Sequence, residues 1–544
     1  MLRCTAVAGT RLSGPATRHA GGGCAITAGQ GAEQSTSDTR LGQMSSAPPP
    51  RLDPDLIARL RSDLMASAFT VAGVTEVLGP MAAAALLREQ ALPAQRITAN
   101  DSRACATLIR LFTLGDPVDT ADVERALPSL GVAGATALGL VAPEGDAVIA
   151  VCDVRPYAAD DRSWWIASDL AELATGRPLS PDHVLGIGGA STTLATWTPR
   201  VPVRRALDVG TGSGVQALHL GAHAESVTVT DVSERALGYA RFNAELNGVA
   251  WSVLAGSMLA PVVGQRFDLI VSNPPFVITP RCDAVPTFEY RDGGAAGDAI
   301  VADLVRGVGE HLEPGGIAQL LGNWEVHDEA DWSERVAGWL SGTGLDAWVV
   351  QRESADPAEY AETWARDGGH FSGTAEFNAM YAAWLDDFAS RSVRAIGFGV
   401  ITVQRPRTDR APFVDLMDVP GPVASPMGPS VAAGLASRTW LTEHTDVDLL
   451  AQRWRCAADV HEERHTLPGA ADPSVILLRQ GGGLRRAITM STVSAAFASV
   501  CDGELTASQA AAAIAGVLGE DDEAVREEIV DFIRDAAKDG LLVR

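Results

Sequence analysis

The stretch that decides the fold is ALDVGTGSGVQAL, residues 206–218. An apolar strand ends at Val209, and VQAL begins a helix. Gly210, Gly212 and Gly214 lie between them, where glycine lets the backbone turn tightly and approach a ligand. The spacing G-x-G-x-G differs from the G-x-G-x-x-G of dinucleotide folds, and the stretch lacks the G-K-[ST] that cradles a triphosphate. It therefore predicts a ligand-binding loop of another kind.

The surrounding chain alternates strands and helices from Val203 to about Glu325. RALDV, SVTVTD, WSVLAG, FDLIVS and IAQLLGN are predicted strands, and DAWVVQR and AIGFGVITVQR are two more, with a helical insertion at 352–394 between them. This order is typical of an α/β fold with a mostly parallel, here seven-stranded, sheet covered on both faces.

An acidic residue ends the second of these strands. Asp231 lies 21 residues after Gly210, where nucleotide-binding α/β folds place a carboxylate that binds the hydroxyls of a ribose. Val232 follows and could pack against a purine. The alternative is an ordinary turn in which Asp231 caps the next helix.

The strand FDLIVS ends in an unusual corner, NPPF, residues 273–276. Asn273 offers a side-chain carbonyl and Pro274 a backbone carbonyl, while Pro274 and Pro275 bring no competing N–H. Phe276 could stack on a flat amide or base. Two acceptors of this kind would suit a planar nitrogen that carries two hydrogens. The alternative is a turn that merely closes a buried strand.

These three motifs together resemble one enzyme family. ALDVGTGSGVQAL, VTVTDVSERALGYARFNAELNG and SNPPF are similar to class I S-adenosylmethionine-dependent methyltransferases, within them to the small-domain N-methyltransferase group with an NPPF motif. That group includes release-factor glutamine methyltransferases and ribosomal-RNA guanine-N2 methyltransferases. The resemblance covers roughly residues 185–325 and implies a Rossmann-like core with S-adenosyl-L-methionine as cofactor.

The resemblance also implies roles for particular residues. Asp231 would bind the cofactor's ribose with Val232 beside it, and Ser257 and Met258 would flank the adenine. Many members of that group carry an acidic residue near the position of Ser257. The resemblance therefore does not assign a contact between Ser257 and the adenine amino group. The methionine part of the cofactor would be held by Asp208, Gly210, Thr211, Gly212 and Gly214. The catalytic residues would be Asn273, Pro274, Pro275 and Phe276.

The remaining sequence predicts flanking domains around a methyltransferase domain at 161–410. Residues 1–50 are expected to be a disordered or wrongly assigned N-terminal extension, and 51–160 a helical, winged-helix-like domain in which several helices precede a hairpin. Residues 411–544 are expected to form an accessory domain, winged-helix-like at 490–544. The segment 494–544 carries a net charge of −7, which favours a protein partner over DNA.

Composition limits the functional classes. The net charge of −25 disfavours a nonspecific nucleic-acid or anionic-membrane surface. No apolar run reaches the roughly 18 residues of a membrane helix. The seven cysteines include no C-x-x-C pair, so we expect free thiols in the cytoplasm and no metal site.

The leading functional hypothesis is an N-methyltransferase that acts on a planar amide or amino nitrogen. A glutamine side chain of a translation factor is preferred, because the acidic chain suits a protein substrate; a base in ribosomal RNA or a ribonucleoprotein is the alternative. A non-catalytic regulatory protein with the methyltransferase fold, and a winged-helix transcription regulator, are two other classes. Absence of S-adenosylmethionine binding would argue for the non-catalytic protein, and salt-sensitive DNA binding would argue for the transcription regulator.

Overall fold

The computed structural model describes residues 47–282, 285–327, 330–367 and 372–544. Residues 1–46 of the predicted N-terminal extension lie outside the described residues. Pro49 lies directly beside Gly238, and the Ala47 carbonyl accepts a hydrogen bond from Arg235. Contacts of the fold therefore reach back past the predicted boundary at residue 50.

The N-terminal part consists of short helices, a three-stranded sheet in the order β1-β3-β2 and a separate hairpin, β4–β5. Its elements are α1 (Pro54–Ala66), α2 (Val71–Leu86), α3 (Leu92–Thr98), α4 (Ala104–Leu108), a π-helical turn (Ile109–Thr113), β1 (Val118–Asp119), α5 (Thr120–Ala126), α6 (Gly131–Leu138), β2 (Val141–Glu144), β3 (Ala147–Ala150), β4 (Asp153–Ala159) and β5 (Arg162–Ser168). Among the described residues, no single helix is long and apolar enough to cross a membrane. Helices α1 and α2, a pair bent by 46°, together have the length and the apolar composition of a membrane-spanning segment.

Helix α1 begins and packs as its sequence predicts. Asp53 accepts a hydrogen bond from the Leu56 N–H at 3.1 Å, and the helical-spacing residues Ile57, Leu60 and Leu64 are fully buried. The helices precede the β2–β3 hairpin in the expected order. That order alone does not define a winged helix, so the winged-helix assignment stays a prediction. The hairpin β4–β5 was not predicted.

The central sheet has eight strands rather than the predicted seven, in the order β13-β11-β12-β10-β9-β6-β7-β8. Strands β6 to β10 are parallel, and β12 is antiparallel to both its neighbours. The extra strand, β13, pairs with β11 and extends the sheet past the predicted boundary at residue 410. The strands are β6 (Val203–Val209), β7 (Ala224–Asp231), β8 (Ser252–Ala255), β9 (Phe267–Ser272), β10 (Leu312–His327), β11 (Asp346–Ala355), β12 (Val393–Gln404) and β13 (Val414–Asp418).

Helices cover this sheet, and two of them, α13 and α14, fill the predicted insertion between β11 and β12. The helices are α7 (Glu172–Thr175), α8 (Gly189–Trp197), α9 (Val215–Leu220), α10 (Glu234–Asn247), α11 (Ala299–Gly307), α12 (Trp332–Leu340), α13 (Pro357–Asp367) and α14 (Ala375–Ser390), with 3₁₀ turns at Ala260–Val262 and Val308–His311. The chain runs from β6 outward through β7 and β8, then returns to β9 on the other side of β6. Such a reversal opens a crevice at the carboxyl ends of the strands, where α/β folds bind ligands.

The C-terminal part has its own core, and helix α15 connects it to the sheet. Val431 and Leu435 of α15 belong to the core of the sheet, whereas Leu441 belongs to the C-terminal core. The last strand, β18, pairs with β14. The elements are α15 (Gly428–Glu443), α16 (Asp446–Ala451), β14 (Arg455–Cys456), β15 (Val460–His465), β16 (Val475–Gln480), β17 (Ala487–Met490), α17 (Thr492–Ser499), α18 (Ala507–Leu518), α19 (Asp522–Lys538) and β18 (Leu542–Val543).

Candidate active site

The candidate site lies where β6 and β9 end side by side. Val209, the last residue of β6, pairs with Ser272, the last residue of β9. The Ser272 hydroxyl donates a hydrogen bond to the Val209 carbonyl at 2.8 Å. Two segments follow these residues, the glycine loop (residues 210–214) and the acceptor corner (residues 273–276). The fold therefore brings together two motifs that are some sixty residues apart in the sequence.

The glycine loop needs its glycines for two different reasons. Gly210, Gly212 and Gly214 have φ of 71°, 55° and 89°, in the left-handed region that favours glycine. A Cβ at Gly214 would lie 2.7 Å from the Trp251 ring, so packing excludes a side chain there. A Cβ at Gly210 or Gly212 would meet no atom within 4 Å. These two positions expose bare backbone to a space that a ligand could fill.

Asp208 lies beneath this loop as an almost fully buried carboxyl group, 1% exposed. The Thr211 hydroxyl donates to one carboxylate oxygen at 2.6 Å, while the other oxygen, Oδ1, has no hydrogen-bond partner among the described residues. Burial raises the pKa of Asp208 to about 7, against the opposing effect of the Thr211 hydrogen bond. A buried acceptor without a donor is costly unless a ligand supplies one.

Asp231, at the end of β7, is bound to the glycine loop. One carboxylate oxygen accepts from the Gly212 N–H at 2.9 Å and the other from the Ser233 N–H at 2.9 Å. Burial raises its pKa above the ordinary value, although these backbone hydrogen bonds act in the opposite direction. Val232 beside it is 70% exposed, so its side chain is free to contact a ligand.

The loop after β8 completes the cofactor side of the crevice. The Gly256 N–H donates to the Asp231 carbonyl at 2.9 Å, so Ser257, which is exposed, follows directly beside Asp231. Met258 has a φ of 49°, and its carbonyl accepts from the Thr230 hydroxyl at 3.3 Å. The structure thus brings all the sequence-predicted cofactor residues to neighbouring strand ends.

The acceptor corner keeps one polar atom unpaired. Asn273 Oδ1 is buried and has no hydrogen-bond partner within the described parts of the chain. Pro274 is buried and Pro275 half-buried. The Phe276 ring, 8% exposed, packs against Phe398 with centroids 5.4 Å apart and the rings tilted by 55°. In this structure it therefore lines the wall of the corner instead of offering an open stacking face.

Sequence reasoning missed the residues that hold the corner in place. The backbone of Ile278, just after it, is bound by one side chain from each helix of the insertion. Its N–H donates to the Tyr360 hydroxyl at 2.9 Å, and its carbonyl accepts from Trp384 Nε1 at 2.9 Å. Asn323 of β10 also donates to the Tyr360 hydroxyl, at 2.7 Å. No motif marks these residues, because they come from separate segments of the chain.

Comparisons with known proteins agree with this geometry. Residues 186–330 match the family described as methyltransferase small domain, and residues 66–151 match a domain of unknown function, DUF7059. Ribosomal protein uL3 glutamine methyltransferase of Bradyrhizobium diazoefficiens is 33% identical over 214 residues, 37% of this chain and 64% of that protein. Release factor glutamine methyltransferase of Geobacter sulfurreducens is 40% identical over 157 residues, 27% of this chain and 52% of that protein.

A third relative acts on another class of molecule. Ribosomal RNA small subunit methyltransferase C of an Enterobacter species is 34% identical over 137 residues, 25% of this chain and 35% of that protein. The matched segments span from 35% to 64% of the length of these three relatives. The sheet, the glycine loop and the acceptor corner define a class I S-adenosylmethionine-dependent methyltransferase domain. More particularly, residues 186–330 match the methyltransferase small-domain family, which confirms the predicted resemblance.

Proposed function

We propose that this chain is an N-methyltransferase that transfers a methyl group from S-adenosylmethionine to the side-chain amide nitrogen of a protein glutamine. The observation that carries the proposal is the buried, unpaired Asn273 Oδ1 at the end of β9, next to the strand whose end bears the glycine loop. An acceptor kept without a donor at a ligand-binding edge is what a substrate N–H would satisfy.

The residues of the crevice fit the cofactor. Bare backbone at Gly210 and Gly212 leaves room for it, and the unpaired Oδ1 of Asp208 can accept from the amino group of its methionine part. The Asp231 carboxylate can accept from ribose hydroxyls. We assign the adenine side of the crevice to Val232, Ser257 and Met258. These assignments follow the roles that the family resemblance implies.

The acceptor corner would act on the target nitrogen. S-adenosylmethionine would supply, when bound, a methyl group on a positively charged sulfur. The N–C bond would form as the C–S bond breaks and the sulfur leaves as a neutral thioether, and the nitrogen would release one proton to solvent. An amide nitrogen is a poor nucleophile, since its lone pair is delocalised into the carbonyl. Asn273 Oδ1 and the Pro274 carbonyl would accept from its two N–H groups, favouring the pyramidal nitrogen that attacks. Pro275 would keep the corner rigid, and Phe276 would form its wall.

A protein glutamine is favoured as the target for two reasons. Two of the three relatives described above are named as glutamine methyltransferases, of a ribosomal protein and of a release factor. The chain carries a net charge of −25, which opposes the phosphate contacts that dominate binding to RNA. A ribosomal-RNA base is the second candidate, because the third relative is named as a ribosomal RNA methyltransferase.

The flanking parts would recognise a large substrate. We propose that residues 51–160 and the acidic C-terminal part that follows β13, residues 419–544, contact the substrate or a protein partner around the methyltransferase domain, whose sheet extends to Asp418. A substrate from the translation machinery would place this activity in the cytoplasm.

The test is a labelled-methyl transfer assay on a lysate from a strain that lacks the protein. The purified chain is incubated with the lysate and methyl-labelled S-adenosylmethionine, and the labelled species is treated with nuclease and with protease. A protease-sensitive, nuclease-resistant product with methylglutamine in its hydrolysate is expected. Label lost to nuclease would support the RNA candidate, and no binding of S-adenosylmethionine by calorimetry would refute both.

A further inference from the structure

A second buried amide, Asn323, lies at the same edge of the sheet as the acceptor corner. Leu320 of β10 pairs with Ser272, the residue that precedes the corner, and Asn323 follows three positions later along the parallel strand. On its other side Asn323 pairs with Phe398 of β12. Residues directly opposite in an antiparallel pair point to the same face of the sheet. Since the Phe398 ring contacts Phe276, the Asn323 side chain lies on the face of the sheet that the corner occupies.

A hydrogen bond joins the Asn323 side chain to helix α13. Its Nδ2 donates to the Tyr360 hydroxyl at 2.7 Å, and the same hydroxyl accepts from the Ile278 N–H at 2.9 Å. The Asn323 side chain is 1% exposed, and its Oδ1 has no hydrogen-bond partner in the portion of the chain that the structure describes. Two neighbouring strands thus each present one buried, unpaired amide oxygen at this edge, from Asn273 and from Asn323.

We propose that Asn323 is a second substrate-contacting residue, whose Oδ1 accepts a hydrogen bond from an N–H of the group that is methylated or of the segment that carries it. This rests on the proposed N-methyltransferase function. Tyr360 is then a positioning residue, because its hydroxyl holds both the Asn323 amide and the backbone that follows the corner. The two roles give the insertion helix α13 a direct part in orienting the target nitrogen.

The experiment compares four single variants of the full chain with wild type. Asn323→Leu removes the amide, Asn323→Asp keeps an acceptor oxygen, and Tyr360→Phe removes only the hydroxyl. The control, Gln319→Leu, removes another fully buried amide of the same strand, one whose Nε2 also lacks a described partner. Gln319 pairs with Val271 inside the sheet, about 13 Å before Asn323 along the strand.

The measurements are kcat and KM with the methyl-accepting protein fraction of the lysate, and the Kd for S-adenosylmethionine by calorimetry. We expect Asn323→Leu to lower kcat about 10- to 100-fold, since a lost transition-state contact acts on that step. The Kd for S-adenosylmethionine should stay within about twofold, because Asn323 is not among the cofactor residues. Asn323→Asp should recover part of the loss, Tyr360→Phe should lower kcat less, and Gln319→Leu should match wild type.

Several outcomes would overturn the assignment while leaving the proposed function intact. One is a wild-type kcat for Asn323→Leu. Another is a decrease of kcat in Gln319→Leu as large as in Asn323→Leu, which would indicate a general disturbance of the sheet. If Asn323→Leu does not fold, the smaller change Asn323→Ala decides: a lower kcat with an unchanged Kd supports the assignment, and an unchanged kcat overturns it. A wild-type chain that binds S-adenosylmethionine but transfers no methyl to protein or RNA would instead refute the proposed function.

Discussion

The buried charges at the contact between the sheet and the C-terminal helices are paired with opposite charges, whereas the candidate active site keeps buried oxygens unpaired. In the C-terminal contact, Arg438 of α15 is 4% exposed and donates to Asp415 of β13 and to Asp539 after α19, each at 2.6 Å. Its guanidinium also lies 3.8 Å from the centroid of the Trp348 ring. Arg486 provides a second cation for Asp539. Each of these charges has an opposite charge beside it.

At the carboxyl ends of β6 and β9, and beside them in β10, the arrangement is the reverse. Asp208, Asn273 and Asn323 each keep a buried oxygen that has no hydrogen-bond partner among the residues described. A paired buried charge holds two elements in register, whereas an unpaired buried acceptor weakens the fold and strengthens the binding of a donor. The ion pairs join parts of this protein, whereas the unpaired oxygens belong to the residues that we propose to bind its ligands.

Breaking the C-terminal contact should give the largest effect, and it should act on stability. Arg438→Met leaves Asp415 without this cation and Asp539 with Arg486 alone, so we expect the free energy of unfolding to fall by about 3 kcal/mol, the lower end for a broken buried ion pair. Denaturant unfolding measures it. The matched control is Arg464→Met, which removes an exposed ion pair with Glu462 and should change stability little. Similar losses in both variants would contradict the comparison.

Removing the acceptor at the corner should act on catalysis instead. Asn273→Ala should lower kcat about 10²- to 10³-fold, because Asn273 Oδ1 would stabilise the attacking nitrogen in the transition state. The affinity for S-adenosylmethionine, measured by calorimetry, should stay nearly unchanged. Equal turnover by the variant and wild type in the labelled-methyl assay would exclude the role given to Asn273.

Removing the ribose acceptor should act on cofactor binding. Asp231→Ala should raise the Kd for S-adenosylmethionine about 10- to 100-fold, the effect of losing hydrogen bonds to a charged group. Asp231→Asn keeps one acceptor oxygen for the Gly212 N–H. Its Kd for S-adenosylmethionine should therefore lie between the values of Asp231→Ala and wild type. An unchanged Kd in Asp231→Ala would argue against the ribose contact.

The smallest effect should be a dependence of cofactor affinity on pH. Burial raises the pKa of Asp208 to about 7, so its carboxyl group is mostly protonated below that pH and ionised above it. The ionised form attracts the positively charged cofactor, and the affinity should therefore increase about tenfold between about pH 6 and pH 8. Asp208→Asn should remove this dependence. A wild-type Kd that does not change with pH would refute the role of the Asp208 charge.

Much of the site was predictable, because its main motifs are local. The glycine loop needs positive φ at three positions, and only glycine adopts such a backbone at little cost, so the sequence shows it directly. Asp231 and the acceptor corner are likewise recognisable by their place just after apolar strands. The sheet was predicted with seven strands, and the missed β13 is a half-buried edge strand whose residues carry little periodicity.

The sequence by itself determined the class of the central domain and the positions of the glycine loop and the acceptor corner, to which we assign the cofactor and the target nitrogen. Only the tertiary structure decided that Asn323 and Tyr360 belong with that corner, and that Arg438 joins the sheet to the C-terminal helices. The physical reason is distance along the chain. Tyr360 meets Ile278 across 82 residues and Arg438 meets Asp539 across 101, and pairings of that length depend on how strands and helices pack, which no local pattern of residues records.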